Sequence, residues 1–259
     1  MSEQEAVVRC IDLNADVGEG HDDARLLPLV SSANVACGVH AGDEDTARAT
    51  LRLARKHGVA VGAHPGFAGR ADFGRRITTR DPDTIADLVA RQIIWLDSLA
   101  RDEGVAITHV KPHGALYNLS AVERAVADAI ARTIARVAPG ARLVGLAGSL
   151  SLAAAEDAGL DALGEAFVDR TYLADGTLVP RDRAGAVIEN AAEAARRAVL
   201  IATLRRIDTL DGARLVLHAD TLCLHGDTPG AAQRASAVRA ALLAAGVQIA
   251  APASAPRGG

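Results

Sequence analysis

The chain has 259 residues, 49% hydrophobic and only 2% aromatic, long enough to bury a sizeable core as one domain. Its 28 basic and 32 acidic residues are mixed along the chain and leave a formal charge of −4, which excludes the basic stripe and stacking aromatics of a nucleic-acid binder. No apolar run is long enough for a membrane span and no secretory h-region precedes the first strand. Cys10, Cys37 and Cys223 are odd in number with no CxxC spacing, so the expectation is a cytoplasmic chain without a disulfide framework or a thiolate zinc site.

The first predicted strand covers residues 11–16 and places Asp12, Asn14 and Asp16 on one face, with Ile11, Leu13 and Ala15 on the other. Two carboxylates on one face raise each other's pKa and call for a facing cation or a chemical task, orienting water or taking its proton. Glu19, next to Gly20, reads as a turn or rim residue. A short helix interrupted by Pro28 follows, then a second strand over 33–43 that ends in polar residues, His40 among them. Asp43 caps a helix over 44–57, which Gly58 stops and which leaves His57 on the surface. The apolar strand 59–63 ends at His64-Pro65-Gly66. In the loop 67–80, Arg70, Arg75 and Arg76 stand either as an anion clamp or as solvated side chains. Asp81 and Pro82 then open a helix that runs to Gly104.

The fourth strand, 106–111, carries Lys111 at its end, with His113 on the same face beyond Pro112. A lysine at the inward end of a buried strand needs an anionic partner, so Lys111 is the natural counter-charge for the aspartates, and His113 is a candidate acid or base. His109 has the same parity but lies deeper, as a core residue. Ser120 with Glu123 reads as a capping box opening a helix to 137. Strand 142–146 leads into Gly145 to Ser149, a phosphate nest or a plain turn, and a helix ending at Gly159. Strand 162–168 leads into Asp169 and Arg170, and Asp175-Gly176 predicts a tight hairpin outside the sheet. Residues 182–206 read as one helix. Residues 214–217 and 221–224 read as one bent strand or two, finishing in His225-Gly226-Asp227. A helix over 230–245, a short segment at 247–249 and a flexible tail from 251 complete a single domain over 1–250.

Seven strand units separated by helices, with polar clusters at their C-terminal ends, predict a seven-stranded parallel (β/α) barrel, an irregular TIM-like fold of class α/β whose site lies at the C-terminal mouth. The competing open doubly wound sheet lacks support, since neither GxGxxG nor a P-loop occurs. His40 and His64, with Asp12, are ordinary ligands for a divalent ion, although no metal-ligand spacing motif accompanies them.

Seven stretches carry a resemblance: DLNADVGEG at 12–20, SANVACGVHAGD at 32–43, GVAVGAHPGF at 58–67, FGRR at 73–76, HVKPHGALYN at 109–118, VDRTYLADGTLVPR at 168–181 and CLHGD at 223–227. In this order they make the chain similar to the LamB/YcsF family, the A subunits of 5-oxoprolinase. The resemblance implies a barrel of the glycoside hydrolase/deacetylase type and hydrolysis of 5-oxo-L-proline to L-glutamate coupled to ATP, together with two partners, the B and C subunits. It implies Asp12, Asp16, Lys111, His113 and His64 as catalytic residues and Asn14, Glu19, His40, Arg170 and His225 as substrate contacts, and leaves a divalent metal open. Ala15 stands where many relatives have cysteine, which excludes a cysteine nucleophile there. The alternative is a stand-alone metal-dependent amidohydrolase or deacetylase of the same fold.

Overall fold

In the computed structural model, which describes residues 9–252, six strands come before the hairpin region: β1 (Arg9–Val17), β2 (Ser32–Ala36), β3 (Ala60–His64), β4 (Ile107–Val110), β5 (Arg142–Leu146) and β6 (Ala162–Phe167). A two-stranded antiparallel ribbon of β7 (Arg206–Asp208) and β8 (Arg214–Val216) lies apart from them, followed by β9 (Thr221–His225) and β10 (Val247–Ile249). Strands β1 to β6 pair in sequence, β6 pairs with β9, and β9 pairs with β1, all parallel. The seven strands therefore close on themselves, which removes the sheet edges. β10 adds a short parallel pairing to the start of β1, Arg9 opposite Val247.

The helices are α1 (Asp23–Leu26), α2 (Glu44–His57), α3 (Pro82–Asp102), α4 (Gly114–Val122), α5 (Arg124–Val137), α6 (Leu150–Asp157), α7 (Ala191–Leu204) and α8 (Ala231–Ala244). Asp43 caps α2 by accepting from the Thr46 amide, Gly58 ends it at φ +65°, and Asp81 caps α3 from the residue before Pro82, as predicted. The apolar side of β1, Ile11, Leu13, Ala15 and Val17, is buried against this outer layer. The other face, Asp12, Asn14 and Asp16, is also buried, and its partners are polar side chains of the barrel lumen. A core that would be filled by branched apolar residues in most such barrels is here polar along its axis.

Three expectations change. The capping box fails because Ser120 lies inside α4, where its hydroxyl donates to the Tyr117 carbonyl, while Glu123 precedes α5 and pairs with Arg80. Residues 114–122 after His113 thus form a helix of their own. The expected helix over 182–206 begins only at Ala191, where Asn190 accepts from the Glu193 amide; residues before it form bends held to the 170s by Thr171 and Arg170. Of the two alternatives for 214–224, two strands form, and residues 214–216 pair with 206–208 outside the barrel. The second strand stops at Ala36, and Gly38 and Gly42 take the turn with positive φ. The hairpin at Asp175-Gly176 forms as predicted, with the Leu173 amide donating to the Thr177 carbonyl. Of the expected tail, residues 253–259 lie outside the described residues, and the Pro252 carbonyl accepts from Arg142.

Candidate active site

The inward side chains stack in layers along the barrel axis. Asp12 lies lowest, beside Thr221 in the β1–β9 register. Its carboxylate accepts from the hydroxyls of Ser31 at 2.7 Å, Ser32 at 2.7 Å and Thr221 at 2.6 Å. Burial raises its pKa, and the three hydroxyls work against that rise. Asp12 lines a polar cavity of about 240 Å³ at the lower end with Arg142, Thr108 and His109, not the mouth. The expected grouping of Asp12 with His40 and His64 is therefore corrected.

Above it is an amide layer that sequence reasoning resolves only at Asn14. Asn14 donates to Glu165 at 2.9 Å and to Thr221 at 2.7 Å, and accepts from Asn34 at 2.8 Å. Asn34 also donates to Asp16 at 2.8 Å and accepts from His109 Nε2 at 2.9 Å. His109 is a core residue as expected; burial and the Lys111 charge push it down to about 3, so it stays neutral. Its ring occupies the space a side chain would take at Gly62, where an added Cβ would sit 2.2 Å from the imidazole.

The next layer holds the charges. Lys111 Nζ donates to Asp16 Oδ1 and contacts Glu165 Oε1, each at 2.9 Å, and lies 3.1 Å from Cys223 Sγ. Its ammonium also sits 5.2 Å from the Phe167 ring centre and 5.9 Å from that of Tyr117. Burial alone would lower the lysine, but Asp16 and Glu165 hold it well above its ordinary value. Burial would likewise raise Asp16, yet His64 and Lys111 hold it well below the usual carboxylate range. Lys111 is thus a fixed cation and Asp16 a fixed anion. Sequence reasoning misses Glu165, although a lone acid in the apolar strand Ala162–Phe167 carries the same signal that singles out Lys111.

Three imidazoles gather beside Asp16. His64 Nδ1 donates to the Lys111 carbonyl at 2.7 Å and His113 Nε2 to the Phe73 carbonyl at 2.8 Å. His64 Nε2 lies 3.4 Å from Asp16 Oδ2 and 2.9 Å from His113 Nδ1. His40 stacks on His113 with ring centres 3.8 Å apart and planes within 5°. Glu19 is no rim residue: it is buried, with Oε1 3.4 Å from His40 Nε2 and 3.5 Å from His113 Nδ1. The Gly18 and Gly20 turns, φ +72° and +87°, bring it back over the end of β1. Phe73, itself at φ +56°, closes the cluster edge-on to His40 and His113.

A cavity of about 510 Å³ opens over these groups, lined by Asp16, His64, Lys111, His113, Phe167 and His225, and at its rim by Arg75, Arg170 and Arg181. Arg170 is buried and donates to the carbonyls of Val179 and Ala186, so it shapes the loop as well as facing the cavity. Burial and the neighbouring Arg181 push it down to about 10. Arg75 pairs with Asp227, which also lies 3.9 Å from Arg181. Arg70 donates to the Gly38 and Gly42 carbonyls and Arg76 pairs with Asp72, so of the three loop arginines only Arg75 lines this cavity. Gly145 to Ser149 forms the plain turn into α6.

His225 is fixed by Asp169, whose carboxylate accepts from the His225 amide at 2.8 Å and from its Nδ1 at 2.9 Å. Burial raises Asp169, but His225 outweighs it and brings the carboxyl down to about 2. A folded-state pKa below the unfolded 3.8 means stability present above about pH 4 and lost as pH falls toward 2. Asp169→Asn is expected to lower unfolding free energy by about 2 kcal/mol at pH 7. Urea melts at pH 7 and pH 3 check this: the full gap between variant and parent is expected at pH 7 and a clearly smaller one at pH 3.

The chain is similar to known proteins over nearly its whole length. The model of the LamB/YcsF family matches residues 11–257. The 5-oxoprolinase A subunit of Chloroflexus aurantiacus is 48% identical over 93% of this chain and 98% of its own length, and that of Heliobacterium modesticaldum 46% identical over 92% and 96%. The crystal structure of the lactam utilization protein from Thermus thermophilus superposes with a TM-score of 0.87 at 43% identity, covering 93% of this chain and 99% of that one. With a match that spans the barrel and every layer of the site, this chain belongs to the LamB/YcsF family.

Proposed function

We propose that the chain is the ring-opening component of an ATP-dependent 5-oxoprolinase, which hydrolyses 5-oxo-L-proline to L-glutamate with its partner B and C subunits in the cytoplasm. The observation that carries this reading is the identity of 44–48% over at least 92% of the chain to relatives named as the A subunits of 5-oxoprolinase.

The site's chemistry suits the reaction. An unstrained lactam is a poor electrophile, and its carbonyl oxygen gathers negative charge as water adds. Lys111 has its ammonium protons directed at Asp16, Glu165 and Cys223, so it acts on that oxygen through its field rather than as a free donor. Asp16 orients the attacking water, with the imidazoles of His64 and His113 beside it. Arg170, Arg181 and Arg75 give the rim a positive potential for the substrate carboxylate or a transferred phosphate. His40 and Glu19 pack the imidazoles from behind. The chain has no P-loop and no GxGxxG, so the nucleotide site falls to the partners.

Glutamate release from 5-oxoproline and ATP, measured with this chain alone, with the two partners alone, and with all three together, tests the reading. Turnover is expected only in the complete mixture. Full-rate turnover by this chain alone overturns the division of labour, and none in the complete mixture overturns the substrate.

A further inference from the structure

The tautomers of His64 and His113 are set from outside. A carbonyl only accepts, so His64 Nδ1 carries the proton given to the Lys111 carbonyl and His113 Nε2 the proton given to the Phe73 carbonyl. In neutral rings the remaining nitrogens, His64 Nε2 and His113 Nδ1, are both lone pairs, and they face each other at 2.9 Å. Two buried acceptors at that distance repel unless a cation lies between or beside them. Glu19 Oε1 approaches the same gap, 3.5 Å from His113 Nδ1. That separation is long for a hydrogen bond, but it is near the edge of a metal-ligand tetrahedron, about 3.3 Å for ligand bonds of 2.0–2.1 Å. One ligand atom from each of Glu19, His40, His64 and His113 lies within 4.8 Å of the others.

We propose that Glu19 Oε1, His64 Nε2 and His113 Nδ1 bind one divalent transition-metal ion of the zinc type at the mouth of the barrel. Each imidazole already has its outer nitrogen anchored to a backbone carbonyl, the arrangement that orients metal-binding histidines. One carboxylate and two imidazoles leave a fourth position open, the pattern of catalytic rather than structural sites. His40 is not a ligand, because its ring is parallel to His113 at 3.8 Å and an ion in the plane of one ring is out of the plane of the other. Asp12, two layers lower and saturated by three hydroxyls, is not one either. Asp16 keeps Oδ1 on Lys111 and Asn34, with Oδ2 3.4 Å from the His64 nitrogen. The use of the ion in opening a lactam rests on the function proposed above; its binding does not.

The experiment reads binding without turnover. Full-length chain stripped with chelator and dialysed is titrated with zinc by calorimetry and with cobalt by visible absorption. One equivalent of each is expected, with cobalt developing the ligand-field bands of a low-coordinate nitrogen and oxygen site. His113→Ala and the near-isosteric Glu19→Gln, both checked for folding by circular dichroism, are expected to bind about tenfold more weakly or worse, and His57→Ala, on the surface, as the parent does. Substoichiometric binding by the parent, or parent-like affinity in a folded Glu19→Gln, overturns the site. So does a nitrogen NMR spectrum of zinc-equilibrated protein with a proton shared between His64 and His113, since the gap would then be filled by that proton.

Discussion

If the proposed function holds, Lys111→Met is expected to lower kcat/KM for 5-oxoproline, measured with the partner subunits, by about 10³-fold, because a buried cation is removed from the water-poor site where the oxyanion would form. Stability falls too. Lys111 is buried between Asp16 and Glu165, and methionine fills most of its volume while leaving two carboxylates without a counter-charge, a loss of about 3–5 kcal/mol. Urea melts and steady-state kinetics on the same preparation separate the two effects. Lys111→Met/Glu165→Gln, which removes one of the stranded charges, should recover part of the stability and none of the rate. If the double variant regains activity, Lys111 has only a structural role.

The two aspartates of β1 are expected to behave oppositely although they share one face of the strand. Asp16→Asn puts an amide where Lys111 and Asn34 both donate to a carboxylate oxygen, and kcat/KM should fall by about 10²–10⁴-fold. Asp12→Asn replaces an acceptor of three hydroxyl bonds. The hydroxyl rotors can turn to accept from the new amide, so activity should stay within about tenfold and stability within about 2 kcal/mol of the parent. Equal losses in the two variants would place Asp12 in the chemistry.

That contrast marks how far the sequence can be read. Period-two alternation puts Asp12, Asn14 and Asp16 on the inward face correctly, and polar strand ends at His64, Lys111 and His225 show which mouth carries the site. Alternation gives direction but not the register between strands: it does not show that His64 meets the barrel at the height of Asp16, two layers above Asp12. Glu19 is misread from sequence because its position depends on two left-handed glycines that turn the chain back over the strand end. Phe73 and its carbonyl reach His113 from the loop after β3, forty residues away in sequence, and no local pattern announces such a contact. The helix α4 stays hidden because His113, Asn118 and Ser120 look like loop residues, yet Leu116, Tyr117 and Leu119 are buried and fix it against the core. The ribbon of β7 and β8 is held by three residue pairs, too short for periodicity to register.

The amide layer between the two aspartates has a consequence for proton traffic. Among the described side chains, every hydrogen-bonded route from Asp12 upward passes through Asn14, and a carboxamide neither takes up nor gives away a proton near neutral pH. The lumen is thus wired for rigidity but insulated for charge: the acid at the floor of the barrel cannot resupply the ion pair near its top by hopping along these side chains. Side-chain relays to Asp16 and Lys111 therefore have to begin at the open end, beneath Arg75 and Arg181, where whatever caps that mouth also governs the site's access to protons.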